Sequence, residues 1–399
     1  MVRLSLAIAL AVAVFGVSAA PTGSGKATVV SLPFSRAISS PNWKQAITAD
    51  KSRASRFGGK SKTAELAVAS SSVTAENVDF SYVASVKVGT QTFSLIVDTG
   101  SSNTWVGAGT KYVPGSTAKS TGDTVSVSYG SGSFSGKEYT DTVTLGTLVI
   151  TGQSIGDATS ATGFSGVDGI IGFGPTDLTE DTVSSTSEVP TIIDNAYSEG
   201  LISTKVLGVY FAPLSGSATT ANNGELTFGG ADSTKYTGSI TYTPVTSTSP
   251  SSLYWGINIS KIAYGTTSVS TASLPGIVDT GTTLIYLQTS TYTALYKNIS
   301  GYKLDSTTGL VVIPSSSYSS LKNISFTIGG TAFTLTPAEY ILPQAQVSAW
   351  GGTAGKYYSL IGDLGTETGL DFILGQKFLE NYYSIFDTSN SRVGLATRA

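Results

Sequence analysis

The stretch LIVDTGSS at residues 95–102 recurs almost unchanged as GIVDTGTT at residues 276–283. Each copy ends an apolar run with Asp-Thr-Gly and continues into hydroxyl side chains. The two aspartates, Asp98 and Asp279, lie 181 residues apart, which is about one domain length. A single Asp-Thr-Gly is ordinary turn chemistry, because Asp and Thr bond nearby backbone and Gly accepts a positive φ. Two copies with matched flanks instead predict two carboxylates that meet where two domains join.

The composition removes most other catalytic chemistry. None of the 399 residues is His or Cys. This excludes Ser-His-Asp and Cys-His nucleophiles, zinc sites built on imidazole or thiolate, and disulfides. We therefore expect neither a metal nor a cofactor, and catalysis by carboxylates, hydroxyls, Lys, Tyr or backbone groups. Only 12% of the residues are charged, while Ser, Thr, Val and Tyr are plentiful, so the composition favours strands over helices.

Short alternating segments separated by glycine turns predict a mainly β chain with few helices. The alternating segments are residues 82–88, 124–129 and 323–328. Turns are predicted at Gly89-Thr90, Gly152-Gln153 and Gly329-Gly330. Brief helices are predicted within residues 190–200 and 290–299.

The N-terminus has the layout of a secretory signal. A basic start at Arg3 precedes an apolar run at residues 4–17, which closes on Ser-Ala-Ala at residues 18–20. No later segment reaches about 18 uncharged apolar residues, so no membrane association is expected. We predict a signal peptide at residues 1–20 and a secreted, extracellular glycoprotein, with a vacuolar endpoint left open. The possible N-glycosylation sequons begin at Asn258, Asn298 and Asn323.

The segment after the signal differs in charge from everything that follows it. Residues 21–62 carry eight basic residues and one acidic residue, a net charge of +7, whereas residues 63–399 have a net charge of −11. Two interpretations stay open: a solvated basic tail, or a propeptide held on an acidic body by complementary charge. We favour a propeptide at residues 21–68, released when acid protonates carboxylates. The acidic body also argues against nucleic-acid binding.

A fainter repeat supports two lobes. Downstream of each Asp-Thr-Gly, an apolar pair is followed by Gly, as IIG at residues 170–172 and ILG at residues 373–375. Such pairs are common in buried strands, and only their recurrence is informative. Because the body is too long for one simple core, we predict an N-terminal lobe at residues 69–240 and a C-terminal lobe at residues 241–399, in a monomer.

Taken together, these residues resemble the pepsin-like aspartic proteases, especially the secreted fungal members. The resemblance runs from about residue 78 to residue 397. The motifs that carry it are VDTGSSNTW at 97–105, SYGSGS at 128–133, DGIIGFG at 168–174, IVDTGTT at 277–283 and the closing pattern at 372–394. The resemblance implies a bilobal fold, in which two related six-stranded-barrel lobes flank a cleft. It also implies an acid endopeptidase for protein and peptide substrates, made as a self-activating zymogen.

The resemblance also implies roles for individual residues. Asp98 and Asp279 are expected to share one proton and to activate a water for attack on the peptide bond. They titrate as a pair, so we assign neither one as acid or base. The residues expected to support this dyad are Thr99, Gly100, Ser101, Thr280, Gly281 and Thr282. The expected flap and substrate-binding residues are Tyr129, Gly130, Ser131, Trp105, Ile96 and Ile170.

One departure from the family pattern bears on specificity. Ser131 stands where fungal relatives that cleave after Lys usually carry Asp. We therefore expect large apolar residues on both sides of the scissile bond, and self-activation near Leu66 or Val68 rather than at Lys60 or Lys62. The sequence does not identify which basic propeptide residue, if any, pairs with the dyad.

Two alternatives from other classes remain. An inactive relative could serve as a binding or inhibitor protein, although such proteins typically lose a catalytic Asp or the flap Tyr, and this chain retains all three. A secreted glycosidase also uses two carboxylates, but ordinarily places them on unrelated motifs. Digestion of casein against an oligosaccharide panel separates these functions.

Overall fold

The computed structural model describes residues 29–37, 43–59, 81–130, 132–218 and 221–399. The predicted signal peptide, the predicted activation sites near Leu66 and Val68, and flap residue Ser131 lie outside the described residues. Strands dominate the rest, so the prediction of a mainly β chain with few short helices is confirmed.

The elements carry the following names and bounds. The strands of the first half are β1 (Val30–Ala37), β2 (Ser81–Val88), β3 (Gln91–Asp98), β4 (Trp105–Val106), β5 (Lys119–Ser128), β6 (Ser133–Leu145), β7 (Leu148–Thr162), β8 (Gly169–Gly172), β9 (Val206–Tyr210), β10 (Ala221–Phe228) and β11 (Tyr236–Pro244). Those of the second half are β12 (Gly256–Tyr264), β13 (Thr267–Ser270), β14 (Leu274–Val278), β15 (Ile285–Leu287), β16 (Lys303–Leu304), β17 (Val311–Ile313), β18 (Ile324–Ile328), β19 (Thr331–Leu335), β20 (Tyr357–Ser359), β21 (Ile361–Asp363), β22 (Phe372–Leu374), β23 (Tyr382–Asp387) and β24 (Arg392–Arg398).

The helices are α1 (Trp43–Gly59), α2 (Ile192–Ser198), α3 (Thr289–Tyr296), α4 (Ser315–Tyr318), α5 (Pro337–Tyr340), α6 (Gln344–Val347) and α7 (Gln376–Leu379). Single 3₁₀ turns occur at Thr176–Thr179, Ser251–Leu253 and Thr388–Asn390. Both sequence-predicted helices are present as α2 and α3. A capping box formed by Thr191 and Asp194 fixes the start of α2.

The largest sheet contains strands from both halves of the chain. Its order is β11-β24-β23-β9-β10-β1-β2-β3-β8-β4-β7-β6-β5. Strand β1 of the predicted propeptide is an inner strand, with Leu32 opposite Leu226 of β10 and Ser35 opposite Val83 of β2. A solvated basic tail is therefore the wrong interpretation for this segment, because backbone hydrogen bonds on both sides hold it in the sheet.

The internal repeat appears as the same strand arrangement in each half. Strand β3, which ends in Asp98, pairs in parallel with β8, and β14 pairs in parallel with β22. Strands β4 and β15 then run antiparallel to β8 and β22, placing Trp105 opposite Ile170 and Tyr286 opposite Ile373. Because Trp105 and Tyr286 each follow their aspartate by seven residues, they occupy equivalent positions in the two halves.

Helix α1 is buried against the second half of the chain. Trp43 stacks on Trp350 with ring centroids 4.8 Å apart, and Phe57 meets Tyr254 edge-on at 4.7 Å. Both aromatic pairs belong to one apolar cluster that continues into β14 and β22. The apolar face of α1 thus holds it on the molecule by side-chain burial, in addition to the complementary charge that the composition predicts.

Two boundaries predicted from the sequence fall within strands of the structure. The turn predicted at Gly152-Gln153 is wrong, because β7 continues through it. Thr151 and Gly152 form a bulge opposite Thr142, and Gly152 takes the positive φ of 61°. The predicted division between lobes at residues 240 and 241 falls inside β11, which pairs with β24, and stays a prediction.

Candidate active site

The two Asp-Thr-Gly loops hold each other through their threonines. The backbone N–H of Thr99 donates to Thr280 Oγ1 at 2.9 Å, and the N–H of Thr280 donates to Thr99 Oγ1 at 3.0 Å. Each hydroxyl also donates across the interface, from Thr280 to the Val97 carbonyl at 2.9 Å and from Thr99 to the Val278 carbonyl at 3.4 Å. This buried network of hydrogen bonds fixes the distance between the two halves at the positions of the two aspartates.

The first carboxylate is oriented by its own loop. The Gly100 N–H donates to Asp98 Oδ1 at 2.9 Å, and the Ser101 hydroxyl donates to Asp98 Oδ2. Asp98 is fully buried. A Cβ on Gly100 would lie 2.7 Å from Asp279 Oδ1, so only glycine lets the opposite carboxylate approach this closely.

The second carboxylate repeats this arrangement. The Gly281 N–H donates to Asp279 Oδ1 at 3.0 Å, and the Thr282 hydroxyl donates to Asp279 Oδ2 at 2.6 Å. Asp279 is fully buried as well, and a Cβ on Gly281 would lie 2.6 Å from Asp98 Oδ1. The structure therefore brings together both aspartates and all six of the residues expected to support them.

Arg53 of helix α1 lies between the two carboxylates. Its Nε donates to Asp279 Oδ2 at 2.8 Å and its Nη2 donates to Asp279 Oδ1 at 3.1 Å, while Nη2 also donates to Asp98 Oδ1. The guanidinium is buried with them. Burial disfavours its charge, but the two carboxylates outweigh that effect and raise the pKa of Arg53. Of the eight basic residues within residues 21–62, Arg53 is the one that the structure pairs with both aspartates.

The two aspartates titrate differently beside Arg53. Burial alone would raise the pKa of Asp279, but the charge and hydrogen bonds of Arg53, together with Thr282 and Gly281, hold it below the ordinary value. Burial and the neighbouring charge of Asp279 raise the pKa of Asp98. The pair is thus polarised, with the ionised form favoured at Asp279 and the protonated form favoured at Asp98.

A second side chain of α1 enters the site one helical turn before Arg53. Asp50 is 4% exposed and accepts from the backbone N–H of Thr283, at 3.1 and 3.2 Å to its two oxygens. The Leu284 N–H and the Tyr286 hydroxyl donate to Asp50 Oδ2 at 3.3 and 3.0 Å. Burial raises the pKa of Asp50 to about 6, even though these hydrogen bonds oppose the shift. Sequence reasoning missed this contact, although Asp50 is the one acid within residues 21–62.

The flap motif forms a hairpin that closes over helix α1. Ser128 pairs with Ser133, and the Tyr129 N–H donates to the Gly132 carbonyl at 2.7 Å. A Cβ on Gly130 would lie 2.3 Å from the Ser52 carbonyl, which shows how closely the hairpin tip approaches the helix.

Tyr129 and Trp105 lie side by side under the flap. Their rings stack with centroids 6.3 Å apart. The Tyr129 hydroxyl and the Trp105 Nε1 are both buried without a hydrogen-bond partner among the described residues. Burial raises the pKa of Tyr129 well above its usual range. The pair therefore joins the flap to the body through ring contact.

The predicted pocket wall is buried behind the flap. Ile96 and Ile170 lie in one apolar cluster with Tyr129 and Trp105. A cavity of about 20 Å³ remains between helix α1, the first loop and the flap, roughly the space of one water. It is lined by side chains that sequence reasoning did not single out, among them Val127, Leu178 and Tyr254. Helix α1 thus fills most of the space beside the dyad.

Other features predicted from the sequence can be placed on the structure. Asn258, Asn298 and Asn323 are all exposed, so each sequon is accessible on the folded chain. Within the described residues, no cluster of three or more metal-ligating side chains occurs, and no helix is long and apolar enough to cross a membrane.

Comparison with known proteins decides the family. The profile described as "Eukaryotic aspartyl protease" matches residues 81–398. The chain belongs to the eukaryotic aspartyl protease family. This aspartyl protease is similar to polyporopepsin of Irpex lacteus, at 52% identity over 335 residues that cover 82% of this chain and 97% of that protein. Cathepsin D of Dictyostelium discoideum is 32% identical over 343 residues, covering 80% of this chain and 84% of that protein.

A solved structure supports the same assignment. The crystal structure of an aspartic proteinase from Irpex lacteus covers 93% of this chain and 98% of its own, with a TM-score of 0.78 and 45% identity. The predicted bilobal pepsin fold is therefore confirmed. This aspartyl protease is an aspartic endopeptidase, a hydrolase that acts on proteins and peptides. The glycosidase and inactive-relative alternatives are set aside.

Proposed function

We propose that the chain is a secreted, monomeric acid endopeptidase, made as a zymogen that activates itself. Its mature form would cut peptide bonds between large hydrophobic residues, using a water activated by Asp98 and Asp279. The observation that carries the proposal is the buried bridge from Arg53 to both carboxylates. Two aspartates that accept hydrogen bonds from one guanidinium are close together. Once that guanidinium leaves, they can share a single proton.

The chemistry follows from that shared proton. After Arg53 departs, the ionised member of the dyad takes a proton from a water, whose oxygen attacks the scissile carbonyl carbon. The protonated member hydrogen-bonds the carbonyl oxygen and stabilises the charge that develops there. Collapse of the tetrahedral intermediate breaks the C–N bond, and a dyad proton passes to the leaving amine. The threonine lattice keeps both carboxylates in place throughout.

Latency at neutral pH rests on the ion pair, and its pH dependence has a definite sign. Because Arg53 lowers the pKa of Asp279 below the ordinary 3.8, the pair stabilises the docked propeptide above that pH. The contribution is lost as the pH falls through the lowered value, since protonated Asp279 no longer attracts Arg53. Release of the propeptide in acid follows, at the pH where the dyad needs its shared proton.

Specificity for large apolar residues is supported by the walls beside the dyad. Val127 and Leu178 line the cavity next to the first loop, and Ile96 and Ile170 extend the apolar cluster behind Tyr129. We propose poor cleavage after Lys, because burial in this environment penalises an unpaired ammonium group. The name polyporopepsin, given to a relative that covers most of this chain, agrees with a pepsin-like preference.

The first test measures hydrolysis of denatured haemoglobin from pH 2 to pH 7, with Asp98→Asn and Asp279→Asn beside the wild type. We expect acid activity in the wild type and a loss of at least about 10³-fold in both variants, which lack the proton-sharing pair. Asp181→Asn is the matched control, because Asp181 is exposed and has a positive φ of 57° that Asn tolerates. Full activity in either dyad variant would refute the assignment.

A further inference from the structure

Trp255 contacts the strands of both aspartates from below the active site. Its indole Nε1 donates to the Phe173 carbonyl at 2.9 Å, and its own carbonyl accepts from the Val278 N–H at 3.0 Å. Val278 directly precedes Asp279. Trp255 lies just before β12 in the second half of the chain, whereas Phe173 directly follows β8 in the first half. One residue therefore joins the two halves next to both aspartates.

Phe173 carries this contact to the first aspartate. Its N–H donates to the Asp98 carbonyl at 2.7 Å, and the next N–H, that of Gly174, donates to the Ser101 carbonyl at 2.8 Å. The segment after β8 thus holds the first catalytic loop at two points, one of them the catalytic residue itself. Because the indole of Trp255 binds the Phe173 carbonyl, the position of this segment depends on a side chain from the second half.

The contact is built within the protease body. Trp255 is 4% exposed and Phe173 is 2% exposed, and both belong with Val278 to one apolar cluster. In that cluster Trp255 packs on Phe386 of β23, with ring centroids 5.4 Å apart. Neither the acceptor of the indole nor this ring belongs to the segment that the proposed activation removes. The hydrogen bond should therefore persist in the processed enzyme.

The first half places a different aromatic residue at the equivalent position. Strand register matches Trp255 with Tyr82, because each lies opposite the residue that precedes its aspartate. The Tyr82 hydroxyl donates to the Ala212 carbonyl at 3.1 Å and to Glu380 Oε1 at 3.2 Å. Among the described residues, the acceptor of Trp255 bonds the backbone of an aspartate, whereas those of Tyr82 do not. The connection to the dyad thus belongs to Trp255.

Two separate contacts restrict motions that one contact permits. The hydrogen bonds between Thr99 and Thr280 lie together where the two loops meet. They fix the distance between the halves there, but they oppose rotation about that place only weakly. The Trp255 contacts act at Phe173 and Val278 instead. Rotation of one half against the other would stretch them, and it would also change the separation of the two carboxylates.

We propose that Trp255 is a positioning residue for the dyad, which holds the angle between the two halves through Phe173 and Val278. By fixing that angle it keeps the Asp98 and Asp279 carboxylates close enough to share a proton. The inference rests on the proposed roles of these two aspartates. Trp255 acts through backbone groups, so its loss should change how the dyad titrates, which a loss of packing elsewhere would not do.

The separation of the carboxylates sets the pH range of activity. The active dyad holds one proton, and mutual repulsion raises the upper of its two apparent pKa values. Because repulsion weakens with distance, a dyad held less closely should lose the shared proton at a lower pH. Among the other groups that act on the aspartates, Arg53 and Asp50 leave with α1 in the proposed activation. Tyr129 and Tyr254 stay neutral between pH 2 and pH 7, since burial raises the pKa of both.

The experiment compares acid-processed wild type with Trp255→Phe, which keeps an aromatic ring and removes the indole donor. We measure kcat and KM from about pH 2 to pH 7 on an internally quenched peptide with a Phe-Phe scissile bond, per active site counted with a tight-binding inhibitor. We expect kcat to fall about tenfold and KM to stay within about twofold, because a small displacement of a catalytic group affects chemistry more than binding. The midpoint of the alkaline limb of kcat should fall by about 0.5 pH unit, because repulsion within the dyad is weaker.

Tyr340→Phe is the matched control for lost stability. The Tyr340 side chain is buried and its hydroxyl donates to the Lys322 carbonyl at 2.7 Å. This variant therefore also removes one aromatic donor from a backbone carbonyl in the second half of the chain. It should lower the unfolding temperature much as Trp255→Phe does, and it should keep the wild-type kcat and pH profile.

The indole signals of the wild-type enzyme decide the question if Trp255→Phe does not fold. The chain has four tryptophans, and Trp43 leaves with α1 in the proposed activation. In enzyme labelled with ¹⁵N-tryptophan, Trp105→Phe and Trp350→Phe assign two of the remaining signals and leave that of Trp255. This signal should shift with the same midpoint as the alkaline limb, because Phe173 links the indole to Asp98. A signal that stays constant across that limb would overturn the inference.

The outcomes separate this inference from the proposed function. A pH profile of Trp255→Phe that superimposes on that of the wild type would overturn the inference, whatever the change in stability. A loss of kcat no larger than that of Tyr340→Phe would also overturn it. Absence of acid activity in the processed wild type would instead contradict the proposed function.

Discussion

In the N-terminal loop Ser102 donates its hydroxyl to the Pro175 carbonyl at 2.6 Å, whereas in the C-terminal loop the equivalent Thr283 donates its backbone N–H to Asp50 of α1. Three residues further on, Trp105 stacks under the flap, while its counterpart Tyr286 donates a hydroxyl into the cleft. The two loops share strand pairing, glycine turns and carboxylate hydrogen bonds. The two loops thus share the frame that holds the aspartates and differ in the contacts that surround it.

The largest effect is expected where one residue bridges both loops. Arg53→Ala leaves two buried carboxylates without their cation, so the free energy of unfolding of the full chain at pH 7 should fall by about 3–5 kcal/mol. Urea unfolding of the full chain measures this. Lys51→Gln on the exposed side of the same helix is the control and should stay within about 0.5 kcal/mol of the wild type. Equal midpoints for both variants would mean that Arg53 does not stabilise the docked helix.

A smaller effect on stability is expected when either threonine of the Thr99–Thr280 hydrogen-bond network is changed. Thr99→Ala and Thr280→Ala each remove a hydroxyl that both donates and accepts across the interface. Each should lower the free energy of unfolding by about 2–4 kcal/mol, because a buried N–H is left without an acceptor. Thr280→Ala should cost more, since its hydroxyl donates at 2.9 Å against 3.4 Å for Thr99.

The matching serine variants retain the hydroxyl and serve as controls for the threonine pair. Differential scanning calorimetry of the full chain at pH 7 compares the two alanine variants with the two serine variants. A full-size loss in the serine variants would assign the effect to the missing methyl group and not to the lattice of hydrogen bonds.

The smallest effects on stability are expected for two tyrosine variants, one on each side of the cleft. Tyr129→Phe removes a hydroxyl that has no hydrogen-bond partner among the described residues, and the stability of the full chain should change by less than about 0.5 kcal/mol. Tyr286→Phe removes the bond to Asp50 and should cost about 1 kcal/mol. Thermal unfolding at pH 7 distinguishes them, and a reversed order would contradict the contrast between a ring-packed flap side and a hydrogen-bonding C-terminal side.

The catalytic frame could be predicted from the sequence because it depends on local chemistry that the chain repeats. An apolar strand, an aspartate and a glycine turn carry the same information wherever they occur, so both loops and their supporting hydroxyls were identifiable. The bulge at Gly152 could not be identified from the sequence, because a glycine with positive φ occurs both in turns and in bulged strands.

The contacts of α1 could not be predicted, because they depend on how one helix docks. Residues 21–62 contain eight basic residues, and only the rotation and depth of α1 place Arg53, rather than Arg56 or Lys51, between the carboxylates. The sequence did carry one signal for Asp50, which is an isolated acid in a basic segment three residues before Arg53. Tyr286 became recognisable only when strand pairing matched it with Trp105.

Strand β1 lies inside the largest sheet, between β10 and β2, so its removal in the proposed activation would affect how long the processed enzyme lasts. A departing inner strand exposes two rows of backbone donors and acceptors, which attract other chains unless another segment pairs with them. A processed chain that unfolds has lost the segment that joined these strands. We therefore expect activation to be a one-way event, after which the enzyme lasts as long as its unfolding barrier allows.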